Sequence, residues 1–270
     1  MTYDDTPGDA PGAGTPVVLL HPFPFDRRYW ARTAAALASA GRRVLTLDAR
    51  GFGESDVAGP FAITDLADDL AALLDGLGVA AAAVVGLSMG GYVALAFAQR
   101  HPARLAALVL ADTRAGADSA EARRGRADAI ALIRDSGADT YLQRSLPRLL
   151  APGAPAAVLS EARGLAETRA ERLIAGLEAL RDRPDRSAEL SAIHCPALVL
   201  AGAQDQVVPA DEMRAMSVAI SAASAGPPAG GDGRGARFTA LAGAGHLSSL
   251  EAPAPFLTAV REFLDEVTPG

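Results

Sequence analysis

One serine stands in a local sequence that can make it a nucleophile. Residues 86–90 match the pattern G-x-S-x-G, with an apolar run before them and helical composition after them. A strand, a tight turn and a helix in this order would expose the Ser88 hydroxyl at the tip of the turn. Gly86 and Gly90 would let the strand and the helix pass close together. The pattern predicts a nucleophilic Ser88, against the alternative of a glycine-rich turn with an incidental serine.

A serine hydroxyl is a weak nucleophile and needs a general base, for which the chain offers four histidines. His246 lies in a glycine-rich loop that follows the last predicted strand, and we predict that it is the base. His21 ends the first predicted strand, and we interpret it as a brace for the adjoining loop. We interpret His101, at a helix end, as a surface or capping residue and His194 as structural.

The base in turn needs a carboxylate that fixes its tautomer. Asp205 and Asp112 each follow a predicted strand, and either one satisfies the chain order serine, aspartate, histidine. We favour Asp205 because its strand is the nearer one to the His246 loop, and Asp112 remains the alternative. Asp48 is interpreted as a structural partner of the nearby Arg50.

Acyl transfer also requires hydrogen-bond donors for a developing oxyanion. One predicted donor is the backbone N–H of Met89, which follows the nucleophile. The other is the N–H of Phe23, because the prolines on both sides of it have none. We predict that Trp30, Val207 and Leu247 help to form an apolar substrate pocket, and core packing is an equally good interpretation of Trp30.

The elements that must position these residues alternate between short apolar strands and helices. Strands are predicted over 15–20, 43–48, 81–85, 105–110, 197–201 and 236–241. This alternation predicts an α/β fold with a mostly parallel, doubly wound sheet. Residues 114–190 contain helical patterns without a convincing strand, which predicts an inserted helical cap.

The predicted organisation is therefore a core interrupted once. Residues 15–113 and 191–270 would form the core, 114–190 the cap and 1–14 a flexible tail. The low-complexity stretch 221–235 is predicted to be a surface loop without chemistry.

Composition excludes several classes of protein. The chain has 270 residues, half of them hydrophobic, and a net charge of −7, which argues against a nucleic-acid-binding domain. No apolar run approaches the roughly 20 residues that cross a bilayer. The single cysteine, Cys195, cannot form an internal disulfide, and the N-terminus does not read as a signal peptide. We expect a cytoplasmic protein that binds neither nucleic acid nor membrane.

Five motifs in order resemble those of the α/β-hydrolase superfamily, and they span nearly the whole chain. They are His21-Pro22-Phe23-Pro24, Asp48-x-Arg50-Gly51-x-Gly53-x-Ser55, Gly86-Leu87-Ser88-Met89-Gly90-Gly91, Ala201-Gly202-x-x-Asp205 and Gly245-His246-Leu247-x-x-x-Glu251-x-Pro253. The resemblance is strongest to the group of 3-oxoadipate enol-lactonases, small-ester esterases and cofactor-free haloperoxidases. It implies a triad of Ser88, Asp205 and His246, and an oxyanion hole formed by Phe23 and Met89.

The resemblance implies a serine hydrolase that cleaves a small carboxylic ester or lactone through an acyl-enzyme, without metal or organic cofactor. An enol-lactone substrate would be a dianion, for which the cap offers Arg114, Arg123, Arg124 and Arg126; a solvated helix face is the alternative interpretation of this cluster. A perhydrolase or haloperoxidase would use the same triad. A ligand-binding signalling homologue would keep the triad without turnover. The chain departs from the family pattern at Pro22, where glycine is usual.

Overall fold

A seven-stranded sheet forms the centre of the molecule. The computed structural model describes residues 1–8, 14–56, 59–222 and 235–268. The strands lie in the order β1-β3-β2-β4-β5-β6-β7, and every pair is parallel except β1 with β3. The strands are β1 (Tyr3–Thr6), β2 (Val17–Leu20), β3 (Val44–Leu47), β4 (Ala82–Leu87), β5 (Leu105–Ala111), β6 (Ala197–Gly202) and β7 (Arg237–Leu241). The predicted α/β fold with a mostly parallel sheet is confirmed.

The central strands are nearly continuous apolar segments, which explains why they lie in the interior of the sheet. Every residue of β2, β3, β4 and β6 is buried, as expected for parallel strands that are covered on both faces. Among the helices that flank the sheet, α1 packs against α9, while α2 packs against α3. The helices are α1 (Ala31–Ser39), α2 (Ile63–Gly76), α3 (Met89–Arg100), α4 (Ala120–Ser145), α5 (Ala156–Leu165), α6 (Ala170–Arg181), α7 (Ala210–Ser221), α8 (Ser248–Glu251) and α9 (Pro253–Val267).

The prediction of a flexible tail over 1–14 is wrong for residues 3–6. Tyr3–Thr6 forms β1, which pairs antiparallel with β3 at the edge of the sheet. Its side chains are mostly exposed and polar, so no apolar alternation marks it in the sequence. Ion pairs of Asp4 with Arg27 and of Asp5 with Arg43 add to the backbone ladder. Residues 9–13 lie outside the described part of the chain.

Helices α4, α5 and α6 lie between β5 and β6, in the segment 114–190 that we call the cap segment. Helix α4 bends at Gly137, whose φ of 83° is non-helical. A groove of about 680 Å³ lies between its two halves and is lined in part by Leu149 and Leu177.

The beginning and the end of the cap segment are tied together by ion pairs and hydrogen bonds. The buried Arg183 guanidinium donates to the Asp118 carboxylate at 2.6 Å and to the Gly116 carbonyl at 3.1 Å. Arg126 binds the second oxygen of Asp118 at 2.9 Å. Burial opposes ionisation of Asp118, but the two guanidinium groups hold its pKa below the usual value.

Most of the predicted loop at 221–235 cannot be compared with the structure, because residues 223–234 lie outside the described part. Across the described ranges, no helix combines the length and the apolarity needed to cross a bilayer.

Candidate active site

Three distant segments bring their side chains together at the carboxyl edge of the sheet. Ser88 follows β4 directly, Asp205 follows β6 and His246 follows β7. The Ser88 Oγ lies 2.8 Å from His246 Nε2, and His246 Nδ1 lies 2.8 Å from Asp205 Oδ2. The side chains of His246 and Asp205 are 3% and 0% exposed, so this chain of hydrogen bonds runs through the interior. Its arrangement allows a proton to pass from a hydroxyl to an imidazole that a buried carboxylate orients.

The turn at Ser88 has the strained geometry that the sequence predicts. Ser88 has φ 52° and ψ −112°, a conformation that residues with a side chain rarely adopt. A Cβ on Gly86 would collide with the Gly90 carbonyl, and a Cβ on Gly90 would collide with the Leu20 carbonyl. Both glycines are therefore required by the close approach of β4, α3 and β2. Thr113 donates to the Ser88 carbonyl at 2.9 Å and helps to hold the turn.

Of the two candidate carboxylates, Asp205 is the one that binds the imidazole. Its other oxygen, Oδ1, accepts the N–H groups of Val207 at 2.7 Å and Val208 at 3.0 Å, which fixes the side chain. Asp112 instead accepts two backbone N–H groups, those of Gly202 at 2.8 Å and Ser248 at 3.1 Å. Asp112 therefore links the end of β6 to the segment that follows His246.

Asp112 is fully buried, and this burial raises its pKa to about 7 even though His246 pulls it down. The native state then keeps a proton that an unfolded aspartate loses near pH 4. Between these two values the native state binds more protons, so the contribution of Asp112 to the free energy of unfolding falls as pH rises.

We predict that wild type loses stability relative to the variant Asp112→Asn as pH rises from about 4 to about 8, by at most about 4 kcal/mol. Asparagine imitates the protonated side chain and cannot ionise, so the difference isolates this one group. Chemical denaturation at both pH values measures it, and Asp135→Asn, on an exposed position of α4, controls for the loss of a carboxylate. A pH-independent difference would contradict the prediction.

The two predicted oxyanion donors are buried and unengaged. Met89 is 1% and Phe23 8% exposed, and within the described ranges the N–H of neither donates a hydrogen bond. His21 braces the loop before Phe23, as predicted: its Nε2 accepts the Ala49 N–H at 3.0 Å, and its Nδ1 donates to the Pro22 carbonyl at 3.0 Å. Burial lowers the pKa of His21, which favours this neutral form. The Phe23–Pro24 peptide bond is cis.

The three predicted pocket residues differ in their surroundings. Leu247, beside His246, is fully buried, whereas Val207 is 39% exposed. Trp30 is also fully buried, and its ring contacts Tyr29 and Phe256 of α9. These contacts favour core packing as the role of Trp30.

Most of the arginines considered for a dianionic substrate are engaged elsewhere. Arg114 donates to the Val207 carbonyl at 2.6 Å, Arg123 pairs with Asp182 and Arg126 pairs with Asp118. Arg124 alone of the four has no partner among the described residues. The structure therefore favours structural roles for three members of this cluster.

The interpretation of Asp48 as a partner of Arg50 is wrong. Asp48 is fully buried and binds the Arg27 guanidinium, and it accepts the Glu54 N–H at 2.7 Å. Arg50 pairs with Asp69 at 2.6 Å. Asp48 binds Arg27 because that residue begins the 3₁₀ helix Arg27–Trp30, whose first N–H also donates to Asp48 at 2.8 Å, whereas Arg50 reaches Asp69 on α2.

Sequence reasoning gave no role to Glu251, which accepts hydrogen bonds from both the His246 loop and the cap segment. Its place in the last motif was the only signal. Among the described residues no cluster of three or more His, Cys, Asp or Glu side chains could hold a metal ion.

The sheet, the turn at Ser88 and the three strand ends define an α/β hydrolase, and comparison with known proteins agrees. The family model described as "alpha/beta hydrolase fold" matches residues 15–134. The chain is 34% identical over 226 residues to the 2-hydroxy-6-oxononadienedioate/2-hydroxy-6-oxononatrienedioate hydrolase of Burkholderia vietnamiensis, covering 77% of this chain and 76% of the relative. The chain belongs to the α/β-hydrolase family.

Two further relatives indicate its neighbours within that family. A thermophilic esterase from Thermogutta terrifontis superposes with a TM-score of 0.87 at 36% identity, covering 98% of this chain and 93% of the esterase. The 3-oxoadipate enol-lactonase 2 of Acinetobacter baylyi is 36% identical over 169 residues, which are 61% of this chain. That match spans only 62% of the lactonase. The predicted resemblance to the α/β-hydrolase family is confirmed.

Proposed function

We propose that the protein is a serine hydrolase of small carboxylic esters or lactones. The observation that carries the proposal is the continuous hydrogen-bonded chain from Asp205 through His246 to Ser88, with 2.8 Å at each imidazole nitrogen. The named activities of the Thermogutta esterase and the Acinetobacter enol-lactonase point to the same class of substrate.

The first half of the reaction would form an acyl-enzyme. Ser88 Oγ attacks the substrate carbonyl carbon while His246 Nε2 takes the hydroxyl proton. The carbonyl oxygen becomes an oxyanion, which the N–H groups of Met89 and Phe23 would bind. Collapse of this intermediate breaks the bond to the alkoxy oxygen, and His246 returns the proton to that oxygen as it leaves.

The second half of the reaction releases the acid. Water gives a proton to His246 Nε2 and attacks the acyl carbon, and collapse of the second oxyanion intermediate returns the proton to Ser88. In a lactone the leaving oxygen stays attached to the acyl chain, so the product is a single ring-opened acid. Every proton in this scheme moves through His246, and no cofactor enters it.

The proposal is tested by covalent labelling together with turnover. A fluorophosphonate should attach to the peptide that contains Ser88, and the same protein should hydrolyse short-chain nitrophenyl esters or simple lactones. Because the label and the substrate would compete for one hydroxyl, labelled protein should lose its turnover in proportion to the label. Labelling elsewhere, or turnover that survives full labelling, would reject the proposal.

Two further proposals concern organisation and setting. We propose that 15–113 and 191–270 form one core and 114–190 a cap, which is supported by the position of α4, α5 and α6 between two neighbouring strands. We also propose a cytoplasmic setting, which is supported by the single cysteine.

A further inference from the structure

The loop that carries His246 is held almost entirely from outside. Four consecutive N–H groups, those of residues 245–248, each donate to a group beyond the loop. Those of Gly245 and Leu247 donate to Glu251 Oε2 at 2.9 and 3.3 Å. The His246 N–H donates to the Leu149 carbonyl at 3.0 Å, and the Ser248 N–H donates to Asp112. The backbone on both sides of His246 is therefore held by two carboxylates and one carbonyl, in addition to the bond of the imidazole to Asp205.

Glu251 also reaches into the cap segment. Its second oxygen, Oε1, accepts the Ala151 N–H at 2.6 Å, so one carboxylate joins the cap segment to both sides of His246. Residues 149–151 thus meet the His246 loop twice, once through the Leu149 carbonyl and once through Glu251. The two backbones are packed so closely that a Cβ on Gly245 would collide with the Ala151 nitrogen.

These hydrogen bonds constrain the backbone on both sides of His246, whose imidazole must stay close to Ser88. Glu251 accepts three N–H groups, and hydrogen bonds to a carboxylate are roughly twice as strong as neutral ones while the carboxylate is ionised. Burial raises the pKa of Glu251, and the three N–H groups oppose that rise. Proton transfer needs the imidazole within hydrogen-bond reach of Ser88, and a displacement of about 1 Å can cost about 100-fold in rate.

We propose that Glu251 is a positioning residue that, together with residues 149–151 of the cap segment, holds His246 in reach of Ser88. The inference rests on the proposed function and extends it, because it makes the cap segment a support of the reacting groups and not only a cover for substrate. Glu251 acts through the loop backbone and touches no reacting atom.

The test compares Glu251→Gln with Glu262→Gln. Glutamine keeps the shape of Glu251 but turns one acceptor oxygen into a donor that faces an N–H group. We expect kcat for a short nitrophenyl ester to fall about 10- to 100-fold with little change in KM, because the imidazole moves while the substrate pocket does not. Glu262, on α9, is exposed and has no hydrogen bond or ion pair among the described residues, so its variant should match wild type.

A second variant disturbs the contact between the His246 loop and residues 149–151 without changing Glu251. Gly245→Ala should push residues 149–151 away from the loop and lower kcat in the same way. Gly164→Ala, in the cap segment, has open space around its new methyl group and should leave kcat unchanged. If Glu251→Gln does not fold, Gly245→Ala decides the matter. If neither folds while both controls do, the role is structural and the positioning role is overturned.

Two readouts separate positioning from general damage. The downfield proton resonance of the hydrogen bond between His246 and Asp205 should shift or broaden in Glu251→Gln, and the rate of fluorophosphonate labelling should fall with kcat. Wild-type kcat, labelling and resonance in this variant would overturn the inference. Failure of wild type to hydrolyse any ester or lactone would reject the proposed function instead, and the resonance would still decide the role of Glu251.

Discussion

Replacing Ser88 with alanine should lower ester turnover by at least about 10⁴-fold. The variant removes the hydroxyl that we propose forms the acyl-enzyme, and water would have to attack the substrate directly. Alanine also keeps a Cβ in the strained turn, so the backbone at φ 52° experiences the same constraint as in wild type. Steady-state kinetics with a nitrophenyl ester measure the loss, and the melting temperature of the variant should stay within a few degrees of wild type.

The matched control is Ser249→Ala, which also removes one buried hydroxyl. The Ser249 hydroxyl binds the Tyr29 hydroxyl at 2.8 Å and belongs to helix α8, so its loss should cost stability but little turnover. Equal turnover by wild type and Ser88→Ala would show that the hydrolysis comes from another group or from a contaminant. Loss of turnover in both variants by the same factor would point to damage of the fold.

The two buried aspartates should respond very differently to asparagine. Asp205→Asn should lower kcat by about 10⁴-fold, because asparagine stabilises the wrong tautomer of His246 and cannot stabilise an imidazolium. Asp112→Asn should cause a much smaller loss, since Asp112 binds the backbone of Gly202 and Ser248 and not the imidazole. Kinetics of the two variants, measured in parallel at one pH, resolve the choice between the two carboxylates that the sequence leaves open.

The reverse ranking of the two kcat losses would make Asp112 the carboxylate that orients His246. It would mean that the imidazole turns toward the end of β5 during turnover. Fluorophosphonate labelling gives an independent check, because Asp112→Asn should still label at a rate near that of wild type, whereas Asp205→Asn should label slowly.

The positions that sequence predicts best are those whose signal is local. Ser88 stands inside a five-residue pattern bounded by a strand and a helix, and the structure has that strand, turn and helix. His246 follows the last strand, and the carboxyl ends of parallel strands meet at one edge of the sheet, so its position predicts that it lies near Ser88. In both cases the chain order alone decides which edge of the sheet the side chain reaches.

Other features depend on contacts that no local pattern records. β1 is polar, and its contacts are the backbone ladder to β3 and the ion pairs of Asp4 and Asp5 with Arg27 and Arg43, which are distant in sequence. The sequence offers Asp112 as a candidate triad member and Glu251 as part of a motif, but their contacts with backbone N–H groups depend on the fold. The tie between Asp118 and Arg183 joins residues 65 positions apart, so neither predicts the other.

The unusual backbone conformation at Ser88 places the hydroxyl beside His246 but lowers the free energy of unfolding. A conformation with φ 52° and ψ −112° costs about 1–3 kcal/mol, a noticeable part of the margin by which a domain stays folded. Glycine would relax this turn but would carry no hydroxyl. Keeping a serine in this turn therefore requires compensating gains in stability elsewhere in the chain.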